Sequence, residues 1–397
     1  MPASNAKPMA APKKPMRLAW TDRRFRGLIW QILVVGIVAA VVFWLWRNTV
    51  TNLDARHIST GFAFLWREAG MPIADTVISY RPSDTYLRAL IIGVLNTLRV
   101  AIVGVVLATL LGTAIGIARL SKNWLLAKVS TVYVEVLREV PLLLQLLFWY
   151  IILQGLPAPR QALQPVPGVY LSNRGLLLPT IDWVPAHGWV LLAVIAGIAG
   201  TALYRRFVRA RQMADGKPRR VWPAALLLIV GLPLAVSAAL GVPWTVRWPE
   251  LRGFNFTGGS ALSPEYVALL VALTTYTAAF IAEIVRAGIL SVSRGQWEAA
   301  EALGLRRGLV LTRIVLPQAL RVIVPPLTSQ YLNLTKNSSL AVAIGYQDIV
   351  SVANTMLNQT GQAIEAIALI MLVFLTISLG ISLFMNWYNA RIALVER

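Results

Sequence analysis

The chain has 397 residues, of which 57% are hydrophobic and 14% charged, too few polar groups to cover a soluble fold of this length. Its net charge of +20 comes from cations placed between apolar blocks, a pattern of membrane topology that argues against a nucleic-acid partner. With no Cys and only His57 and His187, it excludes disulfides, thiol nucleophiles and a His-based metal cluster.

In chain order, residues 1–27 form a basic cytoplasmic leader with Lys7, Lys13, Lys14, Arg17, Arg23, Arg24 and Arg26, and an apolar run follows to Trp46. No small-residue cleavage site follows that run, so a retained first span is expected over 28–46. Further apolar blocks predict spans at 86–118, 140–156, 187–207, 222–242, 264–288, 321–344 and 363–388. The fold class that follows is an all-α polytopic membrane protein with about eight transmembrane helices. With the N-terminus in the cytoplasm, most of the 37 Lys and Arg fall on the inside, which also places the tail 391–397 in the cytoplasm.

The 86–118 block carries the pair Gly112 and Gly116, whose spacing permits close helix packing. Segments 157–186, with Pro157, Pro159, Pro165, Pro167, Pro179 and Pro185, and 243–263, with Trp244, Trp248 and Gly258-Gly259, read as irregular outer loops with aromatic anchors. Between them, Tyr204 to Val221 holds seven cations against the single acid Asp215 and reads as a topological anchor.

Residues 291–321 contain helix-forming runs broken by Gly and Pro, and a short helix ending near Gly304 is expected. Trp297, Ala300, Leu303 and Leu305 alternate with Arg294, Glu298, Glu301, Arg306 and Arg307, so this helix is amphipathic. Periodicity alone leaves open whether its apolar face meets lipid or protein.

The same segment resembles the EAA loop of ABC importer permeases: Glu298, Ala299, Ala300, three residues, Gly304, nine residues, Ile314, one residue, Leu316 and Pro317 fill every position of that motif. Asn96-Thr97-Leu98, Tyr133 to Tyr150, Ala282 to Gly288, and Leu316 to Arg321 followed by Pro325-Pro326 are similar to the polar amino acid subfamily. The enlarged pattern resembles the Q-type permease subunit of general L-amino acid transporters. On that resemblance, 86–156 and 264–390 are two parts of a permease core, with 291–321 its coupling loop. Residues 28–85 add a span and a periplasmic segment, and 157–263 is an insert with two more spans.

The resemblance implies a type I ABC importer transmembrane fold in a bacterial inner membrane, where the loop forms a coupling helix seated in a cleft of a separate ATPase that binds Mg-ATP. It also implies a second, homologous permease subunit, a periplasmic amino-acid-binding protein and an amino acid substrate. The chain shows no glycine-rich GK[ST] phosphate loop, so no nucleotide site or cofactor is expected in it, and it is not itself an enzyme.

Gln330, Asn333, Lys336, Asn337, Ser338 and Ser339 lie within an apolar span, which is costly in hydrocarbon unless they face a cavity or each other. Gln330, Asn333 and Asn337 share one helical face, either a substrate-facing stripe or interhelical hydrogen bonds. Asn and Gln offer both donors and acceptors to a zwitterion, and the lack of carboxylates on this face argues for neutral or mixed substrates; with the resemblance, the expected substrates are broad or neutral/polar L-amino acids. Gln145, Thr274, Thr275 and Thr277 are further residues for that path, with local hydrogen bonding as the alternative role. Glu135, Arg138, Glu139, Glu283 and Arg286 lie near predicted cytoplasmic helix ends and are expected to form structural or gating ion pairs. An ion-coupled secondary transporter is the alternative function; it would need a buried carboxylate pathway, whereas the interior acids are few.

Overall fold

A computed structural model describes residues 23–55, 60–217 and 219–392. Residues 1–22 of the leader and 393–397 of the tail lie outside the described residues. Helix α1 (Arg23–Ala55) extends the first predicted span at both ends, and its apolar side chains are exposed along its length. A strap over residues 60–85 follows and covers the N-terminal half of α2 (Tyr86–Ala118). Its Phe64, Met71 and Ile73 pack with Tyr86, Leu90, Ile92 and Met356. Thr85 caps α2 by accepting the Arg88 amide hydrogen, and the helix runs over the full predicted block.

The predicted span 140–156 is corrected to a bent pair, α3 (Trp124–Glu139) and α4 (Leu142–Gln154), meeting at 105°. Pro141 is the cause: it excludes helical backbone at the preceding residue, and Val140 is extended. Gln145 reaches back across the bend and donates to the freed carbonyls of Leu137 and Val140, both at 2.9 Å. The 13 residues of α4 span only about 20 Å, too short to cross alone.

The expectation of irregular loops at 157–186 and 243–263 is also corrected. Strands β1 (Leu163–Val166), β2 (Val169–Ser172), β3 (Gly175–Leu178), β4 (Thr180–Ile181), β5 (Val246–Arg247), β6 (Glu250–Arg252), β7 (Asn255–Thr257) and β8 (Ser260–Leu262) form there. They make a four-stranded antiparallel sheet in the order β1-β2-β3-β8 and two small pairs, β4-β5 and β6-β7. Gly175 is required at the β3–β8 contact, since a Cβ there would lie 2.0 Å from the Leu262 carbonyl oxygen. Between the two segments, α5 (Pro185–Asp215) and α6 (Trp222–Ala239) form a helical hairpin. The cations Arg205, Arg206, Arg209 and Arg211 therefore lie on the end of a helix.

Helix α7 (Pro264–Leu290) is capped by Ser263 and is the most buried span. Its pairing with α2 decides the topology. Gly104 approaches Leu270, Gly112 meets Ile281, and Gly116 meets Ala282 and Val285, so residue numbers rise together and the two helices run parallel. Parallel neighbours need an odd number of passes between them, and the α5–α6 hairpin supplies two. The α3–α4 pair supplies the third, since Tyr150 on α4 donates to Glu265 at the start of α7 at 3.2 Å.

After a short α8 (Arg294–Ala302), the predicted span 321–344 proves to start earlier, as α9 (Val310–Ile344). It opens with a π turn over Val310–Val315, continues as α-helix through Pro325 and Pro326 to Asn337, and closes in a 3-10 turn over Ser338–Ile344. Ile314, Leu316 and Pro317 thus belong to a helix, not to a loop. Helix α10 (Ile349–Thr360), capped by Asp348, lies against α2, where Gly93 admits the backbone of Ile349. Helix α11 (Ala363–Ile392) completes the bundle.

Candidate functional site

Helix α8 sits between the C-terminal end of α7 and the start of α9. It is closed by Gly304, whose φ of +65° is open to glycine and strained for most other residues. One side of α8 is tied to the bundle: Ala300 is 2% exposed and packs with half-buried Trp297 against the core that includes Val310 and Val315. Gln318 of α9 donates to the Gln296 side chain at 3.4 Å. The other side is free, with Glu298, Ala299 and Gly304 exposed and Leu303 77% exposed. Ile314 and Pro317 are half-buried at the root of α9, and Leu316 is 44% exposed. The arrangement is a short helix joined at both ends to spans, with one side buried against the bundle and the other free.

Near this end of the bundle, Glu283 accepts from Arg286 at 2.5 Å and 3.3 Å and pairs with Arg119, which fastens α7 to α2. Arg119 was not among the residues expected from the sequence. Arg138 lies over the Phe280 ring at 5.0 Å, while Glu135 and Glu139 are exposed and make no ion pair among the described residues.

Along α9 the polar residues divide by direction. Ser338 is buried and donates to the Thr335 carbonyl at 2.7 Å. Asn333 and Lys336 are exposed, Gln330 and Asn337 half-exposed, and none of the four side chains makes a hydrogen bond or ion pair among the described residues. Pro325, Pro326 and Ser329 are exposed as well. Gln145, Thr274 and Thr277 are buried inside the bundle; the Gln145 amide nitrogen donates to its two carbonyls while its oxygen and the Thr274 hydroxyl have no partner among the described residues, and Thr275 donates to the Val271 carbonyl. A polar strip without partners on a membrane span is costly against lipid unless it meets water or another polar surface.

Residues 216–394 match the family described as binding-protein-dependent transport system inner membrane component. The chain is 53% identical, over 96% of its own length and 97% of the relative's, to YhdX of Escherichia coli (strain K12), named as an amino-acid ABC transporter permease protein. It is 49% identical, over 96% of each chain, to the general L-amino acid transport system permease protein AapQ of Rhizobium johnstonii. The chain belongs to the amino-acid ABC transporter permeases. A third relative, 45% identical over 97% of this chain and 98% of its own length, is the glutamate/glutamine/aspartate/asparagine transport system permease protein BztB of Rhodobacter capsulatus. Among solved structures, an amino acid ABC transporter described with histidines is similar at 20% identity and a TM-score of 0.45, covering 77% of this chain and 95% of that one.

As an ABC permease, the chain is a multi-pass inner-membrane transport subunit that works with an ATPase and a binding protein. Nothing found favours the ion-coupled alternative.

At the opposite end of this permease, a polar cluster joins the strap to α2, α7 and α10, and sequence reasoning missed most of it. Asn96, fully buried, donates to the carbonyls of Asp75 and Gln347 at 2.8 Å and 2.9 Å. Thr97 accepts the Ile349 amide hydrogen at 3.1 Å. Asp75 accepts from Ser263, Gln347 bridges Ala74 and Pro72, and Arg99 lies 4.2 Å over the Tyr266 ring. Burial pushes the Asp348 carboxyl up to about 7, although the amide hydrogens at the start of α10 pull the other way. The Asn96-Thr97 pair was visible as a motif; its partners, some 250 residues on, were not.

Proposed function

We propose that this permease imports amino acids, with neutral or polar L-amino acids as its substrate class, across a bacterial inner membrane. It forms half of the pathway beside a second, homologous permease and receives solute from a periplasmic binding protein. Separate ATPase subunits hydrolyse Mg-ATP and push on α8, which lies in the cytoplasm with both chain termini. Glu298, Ala299, Ala300 and Gly304 make the seat for the ATPase, and Ile314, Leu316 and Pro317 carry its motion into α9. The Glu283, Arg286 and Arg119 cluster fastens α7 to α2 above that seat.

One observation carries the reading: Gln330, Asn333, Lys336 and Asn337 form a strip on a membrane span, exposed at Asn333 and Lys336 and half-exposed at Gln330 and Asn337, with no side-chain partner among the described residues. Hydrocarbon does not tolerate such a strip, so a solvated path closed by the second permease is its natural setting. Amide groups there supply donors to a carboxylate and acceptors to an ammonium without selecting a charged side chain.

The test is uptake by the complete complex in vesicles loaded with ATP, comparing the native strip with Gln330→Leu and Asn333→Leu together. Losing two hydrogen bonds to the solute at about 1 kcal/mol each lowers uptake by roughly tenfold or more. The ATPase and binding protein still co-purify and bind. Unchanged uptake in the double variant would remove this strip from the path.

A further inference from the structure

Between the C-terminal ends of α2 and α7, the root of α9 and the inner side of α8 lies a cavity of about 560 Å³. That is ample for part of a small-molecule ligand. Its walls are apolar, with Ile117, Leu126, Trp297 and Leu311 among them, and no carboxylate lines it. At its rim stand Ser121 and Lys122. The Lys122 ammonium is exposed and makes no ion pair or hydrogen bond among the described residues, whereas nearby Arg119 is held by Glu283.

Two observations fix the kind of occupant. Ile117 and Leu126 are 55% and 47% exposed, so the cavity is open to the surface where α2 ends and α3 begins. The adjoining start of α3 carries Trp124, 74% exposed, and Lys128, a ring and a cation of the kind that sit at headgroup depth. A molecule entering from that side has an apolar chain, and the free cation at the rim complements an anionic head.

We propose that this cavity takes an acyl chain of an anionic phospholipid, with its phosphate at Lys122, so that the lipid braces α8 against the bundle. Binding stands on this geometry alone. Its consequence, that anionic lipid improves coupling between ATPase and transport, rests on α8 being the ATPase seat.

This chain has no Cys, so Ser121→Cys gives it a single thiol beside the cavity, read as labelling of this chain apart from its partners, and Thr312→Cys places one elsewhere on the lining should the first variant fold poorly. The complete complex is held in nanodiscs of phosphatidylcholine, without or with phosphatidylglycerol, and labelled with an uncharged maleimide. With phosphatidylglycerol at about ten times its dissociation constant, labelling slows by about tenfold. Adding Lys122→Gln restores the fast rate, and soluble glycerol phosphate gives no protection because it lacks the chain. Equal rates in both lipids, or protection that survives Lys122→Gln, overturns the proposal. Protection that needs the ATPase and ignores lipid overturns it too, by assigning the cavity to the ATPase. A lipid effect on labelling without any on ATP-driven uptake keeps the site and rejects only its role in coupling.

Discussion

Gly304 offers a clean measure of how much the proposed ATPase seat depends on local backbone geometry. Its φ is +65°, and a Cβ built there meets no atom within 4 Å, so replacing it leaves the packing of this chain unchanged and alters only the conformational energy. An L-residue in the left-handed region costs roughly 1–2 kcal/mol, and Asn less than Ala. If that energy sets how often α8 is folded and ready, Gly304→Ala raises the dissociation constant for the ATPase by about 5- to 30-fold. Gly304→Asn raises it only a few-fold. Gly295, inside α8 and also without neighbours within 4 Å, is the control of opposite sign. Gly295→Ala strengthens the helix by about 0.5–1 kcal/mol and tightens or preserves binding. The assay is titration of purified ATPase onto permease in nanodiscs, with ATP-driven uptake measured beside it. Equal losses for Ala and Asn at 304 would show that the partner needs a bare backbone there and would refute the conformational argument.

The α2–α7 contact makes a second prediction: a Cβ at Gly116 would sit 2.7 Å from the Ala282 carbonyl oxygen, so Gly116→Val forces two backbones apart and destabilises by about 1–3 kcal/mol or more. Gly104→Ala meets the Leu334 methyl groups at 3.3 Å, which yield more easily, so thermal unfolding of the complex should separate the two variants clearly. A third concerns Asp348, whose carboxyl is raised to about 7 by burial. The native state then holds a proton that the unfolded chain releases at lower pH, so this group's contribution falls as pH rises toward and through about 7. Asp348→Asn keeps a capping side chain and should flatten that slope in melting temperatures taken between about pH 5 and 8; an unaltered slope would assign it to another group.

The parts legible in the sequence were those whose cause is local. Apolar length gave α2 to its last residue, and Gly304 marked the end of α8. Local rules failed where the deciding partner was distant. Strands β3 and β8 hold four and three residues, too few for alternation to show, and they meet across the whole α5–α6 hairpin. Pro141 was visible, yet the bend it makes matters only because Gln145 turns back to take up the two free carbonyls. Pro325 and Pro326, residues that commonly end a helix, lie inside α9. The polarity of Gln330 and Asn333 was plain; that neither is buried in the bundle was not, because helical spacing gives a shared face without naming its neighbour.

That continuity of α9 bears on how motion at α8 reaches the polar strip. From Ile314 to Asn333 the helix rises by roughly 28 Å, most of a hydrocarbon layer, without a break in its run. Its lower end is joined to α8 through Val310, Val315 and Gln318. At Gly288 the Ile323 side chain and Ala319 carbonyl of α9 lie against α7. If a displacement of α8 tips α9 about that contact, the end bearing Asn333 and Lys336 moves farther than the end that was pushed. Gly288→Leu should obstruct this pivot through Ile323, lowering uptake while ATPase binding at α8 persists. Parallel loss of both would mean that the contact holds the fold together and transmits nothing.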